Sequence, residues 1–128
     1  MNNKHKCLVC LGSNIDDIFH LKNAEYALIH SFQEVVMGTP VVTVAEGGMV
    51  QPDYRNQAAR FVTDLDCESV IQILKQIERD NGRTADDKLV GRVPLDIDLL
   101  IYDDEIIKPC DLNKGYVQLA VQSLPSLG

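Results

Sequence analysis

Residues 95–102 read LDIDLLIY, and apolar side chains alternate with acidic ones along the first half of this stretch. Successive side chains of a β-strand point to opposite faces of the sheet, so the alternation predicts a half-buried strand. Asp96 and Asp98 then share one face, about 6.5–7 Å apart along the strand, and the leucine and isoleucine side chains share the other. A divalent cation between two such carboxylates would relieve their mutual repulsion. A solvent-exposed polar stripe has the same pattern, and the spacing alone does not separate the two interpretations.

The hydrophobic pattern on both sides of this strand predicts the order β-α-β-β-α-β, followed by one more helix. Predicted strands cover residues 6–11, 35–44, 56–65 and 95–102, and predicted helices cover residues 18–32, the segment between Asp66 and Asn81-Gly82, and residues 116–124. Gly38 and Pro40 interrupt the second strand and indicate an edge position or a bulge. This order predicts the α+β class and a ferredoxin-like layout, with a four-stranded antiparallel sheet and helices packed on one face. We expect residues 1–128 to form a single domain.

The composition is that of a soluble domain, with 45% hydrophobic and 24% charged residues among 128, and it excludes intrinsic disorder. Twelve Lys and Arg against nineteen Asp and Glu give a net charge of −7, which argues against a nucleic-acid partner. No apolar run approaches the roughly 20 residues of a membrane span, and the start of the chain has no signal-peptide pattern. We therefore expect a cytoplasmic protein with no membrane partner. The oligomeric state stays open.

The cysteines give no reason to expect redox chemistry. Cys7 and Cys10 have the spacing of a redox motif, but they fall within a predicted strand. Residues three apart on a strand face opposite ways, so the two thiols are not expected to meet. The four cysteines of the chain are also too few for a disulfide scaffold at this length.

Four blocks of sequence occur in a characteristic order: CLVCLGSN at 7–14, QPDYRN at 51–56, IERDNGR at 77–83 and PLDIDLLIYDDEII at 94–107. Together they resemble the 6-hydroxymethyl-7,8-dihydropterin pyrophosphokinases of folate synthesis, over roughly residues 7–112. The resemblance implies a ferredoxin-like core. It also implies transfer of diphosphate from ATP, the co-substrate, to the pterin hydroxymethyl group, with release of AMP.

The resemblance also implies roles for charged residues. Asp96 and Asp98 match the aspartates that hold two Mg²⁺ ions on the ATP phosphates. Arg83 matches an arginine that contacts those phosphates, and a guanidinium suits a two-point contact with phosphate oxygens. Charge neutralisation and positioning dominate phosphoryl-type transfer, so these three are candidate catalytic residues. Arg92 is the fourth candidate, as a second arginine for the ATP phosphates. Glu78 matches a glutamate of the same helix, although a solvated helix face is the alternative interpretation.

The pterin side of the site is implied by two further matches. Asn56 matches an asparagine that hydrogen-bonds the pterin edge, and its carboxamide offers one acceptor and two donors to the ring. Tyr54 matches a residue that lines the same pocket. The alternative is that Asn56 only begins a strand and Tyr54 belongs to the core. The short loop at 45–50 lacks the TPPxG run that frames the pterin in the family.

Three departures from the family pattern keep a second function open. Residues 84–90 carry two aspartates and one lysine where the family has a basic loop. The arginine of the family's PRTLD is displaced by one residue, to Arg92, which on a strand would face the other way. The family's PHxxxxxRxF segment is missing, and Lys114 and Tyr116 are the candidates to replace one of its cations and its aromatic ring. The alternatives are a non-catalytic ferredoxin-like relative that binds a pterin or nucleotide without turnover, or an enzyme acting on another heterocyclic alcohol.

Overall fold

A computed structural model describes residues 4–43 and 53–125 of the chain. Its elements are β1 (His5–Ser13), α1 (Asp17–Ser31), β2 (Gln33–Met37), β3 (Val41–Thr43), β4 (Tyr54–Thr63), α2 (Cys67–Asp80), α3 (Asp87–Val90), β5 (Asp96–Tyr102), β6 (Glu105–Ile106), α4 (Pro109–Leu112) and α5 (Gly115–Gln122). The end of the strand predicted at 35–44 and the loop predicted at 45–50 lie outside the described residues. Within the described ranges, no helix has both the length and the apolar character needed to cross a bilayer.

All strand pairs of the sheet are antiparallel, in the order β2-β4-β1-β5-β6, and β3 also pairs with β4. The predicted α+β class and antiparallel sheet are confirmed, but the predicted count of four strands is wrong, because the sheet has six strands within the described ranges. One extra strand arises because the edge strand breaks into β2 and β3 around Gly38, whose N–H still donates to the Ala58 carbonyl. The other is β6, which follows a tight turn at Asp103, where φ is +54°. The edge position indicated by Gly38 and Pro40 is confirmed.

The helices cover both faces of the sheet, so the expectation that they pack on one face is wrong. Helices α1 and α2 pack on the face that includes Val9 and Leu11. Helix α5 packs on the opposite face, where Val117 contacts Cys10 and Leu100. The physical reason is that this second face carries apolar side chains as well as the two aspartates. Packing of α5 removes those apolar side chains from water.

Helix α2 begins and ends as predicted. Asp66 caps it by accepting a hydrogen bond from the Ser69 N–H at 2.8 Å. Gly82 ends it with a φ of +88°, a conformation that favours glycine. The Arg83 N–H then donates back to the Glu78 carbonyl at 3.0 Å. This reversal fixes where the chain leaves the helix, and the Arg83 side chain then contacts Thr84 and Asp87.

Candidate active site

Gly12, on the central strand β1, lies on the α5 side of the sheet, and the space above it between Asn56 and Asp96 is called the cleft. It pairs with Asn56 of β4 on one side and with Asp96 of β5 on the other. Neighbouring strands lie about 4.8 Å apart, so the backbones of Asn56 and Asp96 are separated by about 10 Å across Gly12. A Cβ at Gly12 would lie 3.2 Å from Asn56 Oδ1 and 3.6 Å from Tyr54 Cδ1. The missing side chain therefore keeps the space between the two flanking strands open.

The resemblance implies that Asn56 contacts a pterin, and we expect Gly12→Ala to weaken that binding by about tenfold or more, because the added methyl group displaces the Asn56 carboxamide by a few tenths of an ångström. The free energy of unfolding should change by less than about 1 kcal/mol, since alanine is at least as favourable as glycine in a strand. Fluorescence titration with a pterin and urea unfolding measure the two quantities. Gly115→Ala is the matched control, because a Cβ there meets nothing within 4 Å. Equal pterin affinity in the two variants would contradict this role of Gly12.

The two aspartates of β5 both face this cleft. Cys10 lies opposite Asp98 in the strand register. Burial raises the pKa of the Cys10 thiol to about 12, and the negative charges of Asp98 and Asp96 add to the effect. Burial also raises the pKa of Asp98, and the charge of Asp96 raises it further. The pair therefore concentrates negative charge in a partly desolvated position.

The carboxylate pair suits Mg²⁺ better than a metal that requires a full protein cage. In residues 4–43 and 53–125, no group of three or more His, Cys, Asp or Glu side chains is arranged to hold a metal ion. Mg²⁺ usually takes one or two carboxylates and completes its shell with water and substrate phosphates. Asp96 and Asp98 match that donor set, and the cost of keeping two like charges together is relieved by a cation.

Lys108 also reaches this pair, which sequence reasoning did not anticipate. Its Nζ donates to Asp98 Oδ1 at 2.7 Å. The β5–β6 hairpin reverses the chain, and the Ile107 N–H donates to the Leu100 carbonyl at 2.8 Å, which brings residue 108 back alongside β5. The only sequence signal was the hairpin turn at Asp103-Asp104, and locating Lys108 from it would have required the pairing register.

Arg83 lies at one wall of the cleft, with a side chain that is 15% exposed. Its Nη1 donates to Asp87 Oδ2 at 3.1 Å. Its Nε is buried and has no hydrogen-bond partner within the described part of the chain. A buried N–H without a partner costs about 1–3 kcal/mol. An anionic ligand would satisfy this donor, so the geometry fits the predicted phosphate contact.

Arg83 Nη1 has two acceptors, the Thr84 carbonyl at 2.5 Å and the carboxylate of Asp87. Asp87 is the charged one of the two. It also accepts hydrogen bonds from the Thr84 N–H at 2.7 Å and from Thr84 Oγ1 at 2.8 Å. Burial alone would raise its pKa, but the hydrogen bonds from Thr84 and Arg83 outweigh that effect and lower it. The acidic loop that departs from the family pattern is thus in direct contact with the predicted phosphate-binding arginine.

The two aromatic candidates, Tyr54 and Tyr116, lie near each other on the Gly12 side of the sheet. Burial raises the pKa of the Tyr54 phenol, and the nearby charges of Asp96 and Tyr116 raise it further. Lys114 Nζ lies 3.0 Å from Asp111 Oδ1 and 6.0 Å from the centre of the Tyr116 ring. Tyr54 from β4 and Tyr116 from α5 therefore border the same space, and Lys114 stands at its rim.

Asn56 is almost fully buried, at 5% exposure. Its Nδ2 donates to Thr43 Oγ1 at 3.2 Å and to the Val41 carbonyl at 3.4 Å. The donors of the carboxamide are therefore engaged by β3, whereas its Oδ1 has no hydrogen-bond partner among the residues described. In this arrangement Asn56 can accept a hydrogen bond from a ligand through Oδ1, but its Nδ2 donors are already engaged.

Within the described residues, Arg92 is connected to the Arg83–Asp87 pair through its backbone, because its N–H donates to the Asp87 carbonyl at 3.1 Å. Its side chain is exposed and makes no hydrogen bond or ion pair with residues 4–43 or 53–125. The next residue, Val93, is buried, and its N–H donates to Asn14 Oδ1 at 2.6 Å. A role for Arg92 stays a prediction.

Glu78 is buried rather than part of a solvated helix face, with 9% exposure. Its Oε2 accepts a hydrogen bond from the Ile97 N–H at 2.8 Å, which caps the open edge of β5 between the two aspartates. Burial raises its pKa to about 7, and the charge of Asp96 contributes in the same direction. Glu78 thus supports the strand that carries the acidic pair.

Comparisons with known proteins point to one family. The family model described as 7,8-dihydro-6-hydroxymethylpterin-pyrophosphokinase (HPPK) matches residues 8–125. A mitochondrial folate synthesis bifunctional protein of Arabidopsis thaliana is 35% identical over 103 residues, which is 77% of this chain and 18% of that protein. The corresponding Pisum sativum protein is 33% identical over 97 residues, or 74% of this chain and 19% of that protein.

A bacterial relative has a similar level of identity. The 2-amino-4-hydroxy-6-hydroxymethyldihydropteridine pyrophosphokinase of Haemophilus influenzae is 30% identical over 107 residues, which is 78% of this chain and 64% of that protein. The chain thus spans less than two thirds of the bacterial relative's length and about a fifth of the length of the plant relatives.

Proposed function

The chain belongs to the 7,8-dihydro-6-hydroxymethylpterin-pyrophosphokinase family, and from that premise we propose that it transfers diphosphate from ATP to 6-hydroxymethyl-7,8-dihydropterin and releases AMP. One observation supports this most directly. Gly12, which has no side chain, lies between two strands of different chemistry. On one side Asn56 of β4 offers a hydrogen-bond acceptor, and on the other side β5 offers the carboxylates of Asp96 and Asp98. The Asn56 side suits a flat heterocycle, and the acidic side suits a metal-bound polyphosphate.

The reaction forms one P–O bond and breaks another. The hydroxymethyl oxygen attacks the β-phosphorus of ATP, and the bond from that phosphorus to the oxygen bridging to the α-phosphorus breaks. AMP leaves with that oxygen, and the hydroxyl proton passes to solvent. We assign Arg83 to the phosphates, since its buried Nε lacks a partner within the described ranges. Asn56, Tyr54 and Tyr116 orient the pterin.

Asp96 and Asp98 would hold Mg²⁺, which when bound neutralises phosphate charge. Lys114 and Arg92 are the further candidate contacts to ATP phosphates, and the sequence resemblance calls for two metal ions. We also assign the ferredoxin-like layout. If β2 and β3 are counted as one interrupted edge strand, the order of this strand, β4, β1 and β5 in the sheet is the ferredoxin-like order. A cytoplasmic location remains a prediction, and "mitochondrial" in the plant names concerns those proteins.

The function is tested by incubating the protein with MgATP and 6-hydroxymethyl-7,8-dihydropterin and following the products by ³¹P NMR. We expect AMP and the pterin diphosphate in equal amounts, with no AMP when the pterin is omitted. Formation of ADP, or of no product by folded protein at millimolar nucleotide, would reject diphosphate transfer.

A second candidate is a non-catalytic relative that binds pterin or nucleotide without turnover. The observation that favours it is internal pairing of the charged groups, because Asp87 holds Arg83 and Lys108 holds Asp98. The same assay separates the two functions when calorimetric titration accompanies it. Tight pterin binding without AMP selects the binding module.

A further inference from the structure

The Lys108 ammonium lies where a metal ion would be expected to neutralise the acidic pair. It donates to Asp98 Oδ1 at 2.7 Å, and its side chain is about half exposed. Burial alone would lower the pKa of Lys108, but the hydrogen bond to Asp98 and the charges of Asp98, Asp111 and Asp96 together raise it. The ammonium is therefore hydrogen-bonded to one carboxylate, Asp98, and the charges of Asp96 and Asp111 act on it from farther away.

A cation in this position affects the two aspartates unequally. Asp98 is directly bonded to the ammonium, whereas Asp96 makes no ion pair with any residue in the described ranges. A second cation brought next to Lys108 would meet like-charge repulsion, which is strong at short distance in a partly desolvated cleft. Asp96 therefore remains open to a divalent ion, while Asp98 is already neutralised by the chain itself.

We propose that Lys108 takes the place of one of the two metal ions, so that the cleft binds about one divalent ion together with the nucleotide, on the Asp96 side. The proposal rests on the proposed function, since it concerns the same cleft. Lys108 then determines how many divalent ions the cleft binds. One ion, rather than the two that the resemblance implies, is then expected for this chain.

The test counts Mn²⁺, as a spectroscopic substitute for Mg²⁺, by electron paramagnetic resonance in the presence of α,β-methylene-ATP, which keeps the α–β linkage intact. We expect about one Mn²⁺ per wild-type chain and about two per Lys108→Met chain, because loss of the ammonium frees Asp98. Circular dichroism verifies that each variant is folded. No turnover is needed for this measurement.

Two control variants isolate the charge at position 108. Lys108→Arg keeps a cation beside Asp98, so it should bind as many ions as the wild type. Lys22→Met removes an exposed lysine of α1 and should change nothing. Two ions on the wild type, none on it, or an unchanged count in Lys108→Met would each overturn the proposal. AMP production by a chain that binds two ions overturns the Lys108 proposal alone, and one bound ion without AMP production overturns the enzyme function alone.

Discussion

Asp96→Asn is expected to lower kcat for diphosphate transfer by about 10³-fold while leaving the fold intact. Metal-bound phosphate stabilisation contributes several kcal/mol, and about 4 kcal/mol corresponds to a factor of 10³ in rate. Asparagine has nearly the same shape as aspartate but lacks the charge that attracts a divalent ion. AMP release by the wild type and the variant, at saturating MgATP and pterin, measures the effect.

Stability separates this catalytic role from a structural one. The like charges of Asp96 and Asp98 oppose each other in the metal-free protein, and the charge of Asp96 raises the pKa of its neighbour. Removing one charge should leave the free energy of unfolding unchanged or raise it slightly. Asp104→Asn, at an exposed aspartate of the β5–β6 turn, is the matched control and should retain wild-type turnover. Near-wild-type kcat in folded Asp96→Asn would refute the assignment of the acidic pair.

Asp98→Asn should lose turnover as well, but with a different effect on stability. Asp98 accepts the hydrogen bond from Lys108, so its amide replacement weakens an ion pair at the same time as it removes the repulsion. The two effects oppose each other, so we expect Asp98→Asn to be less stable than Asp96→Asn. Urea unfolding of the two variants in EDTA measures this difference.

The sequence carried enough information to find the strands that form the cleft. Alternation along 95–102 identified the two faces of β5, and it placed Asp96 and Asp98 correctly away from the face that packs on α1 and α2. Local chemistry also set the limits of α2, since Asp66 caps it and Gly82 ends it. These features depend on period, capping and turn preference, all of which act within a few residues.

Features that depend on long-range register were not found in this way. Glu78 looked solvated because its helical neighbours are polar, but its carboxylate meets the Ile97 N–H, nineteen positions away. Lys108 reaches Asp98 only because the hairpin of β5 and the two-residue strand β6 returns the chain. The split edge strand and the helix on the second face likewise depend on which surfaces remain uncovered once the sheet has formed. Single-sequence patterns do not encode such pairings.

Glu78→Gln is expected to make the metal-free protein more stable at alkaline pH, by about 2 kcal/mol after allowance for solvent screening. Burial and the charge of Asp96 raise the pKa of Glu78 from its usual 4.5 to about 7, against the opposing effects of the Ile97 N–H and Lys75. A neutral glutamine still accepts from the Ile97 N–H, and its amide donates to Asp96 as a protonated carboxyl would. The uncharged side chain thus suits the buried position better.

The sign of the pH dependence follows from the raised pKa. The folded protein holds its Glu78 proton more tightly than the unfolded chain does, so this group's contribution to stability is complete below pH 4.5 and disappears as pH rises through 7. Urea unfolding in EDTA should therefore give similar free energies for the wild type and Glu78→Gln near pH 4.5, and a growing advantage for the variant up to pH 8.5. Glu68→Gln, in the exposed first turn of α2, should instead be slightly less stable than the wild type, because it loses a favourable charge at a helix N-terminus. A Glu78→Gln protein that is less stable than the wild type at pH 8.5 would mean that the charged carboxylate itself holds β5 in place.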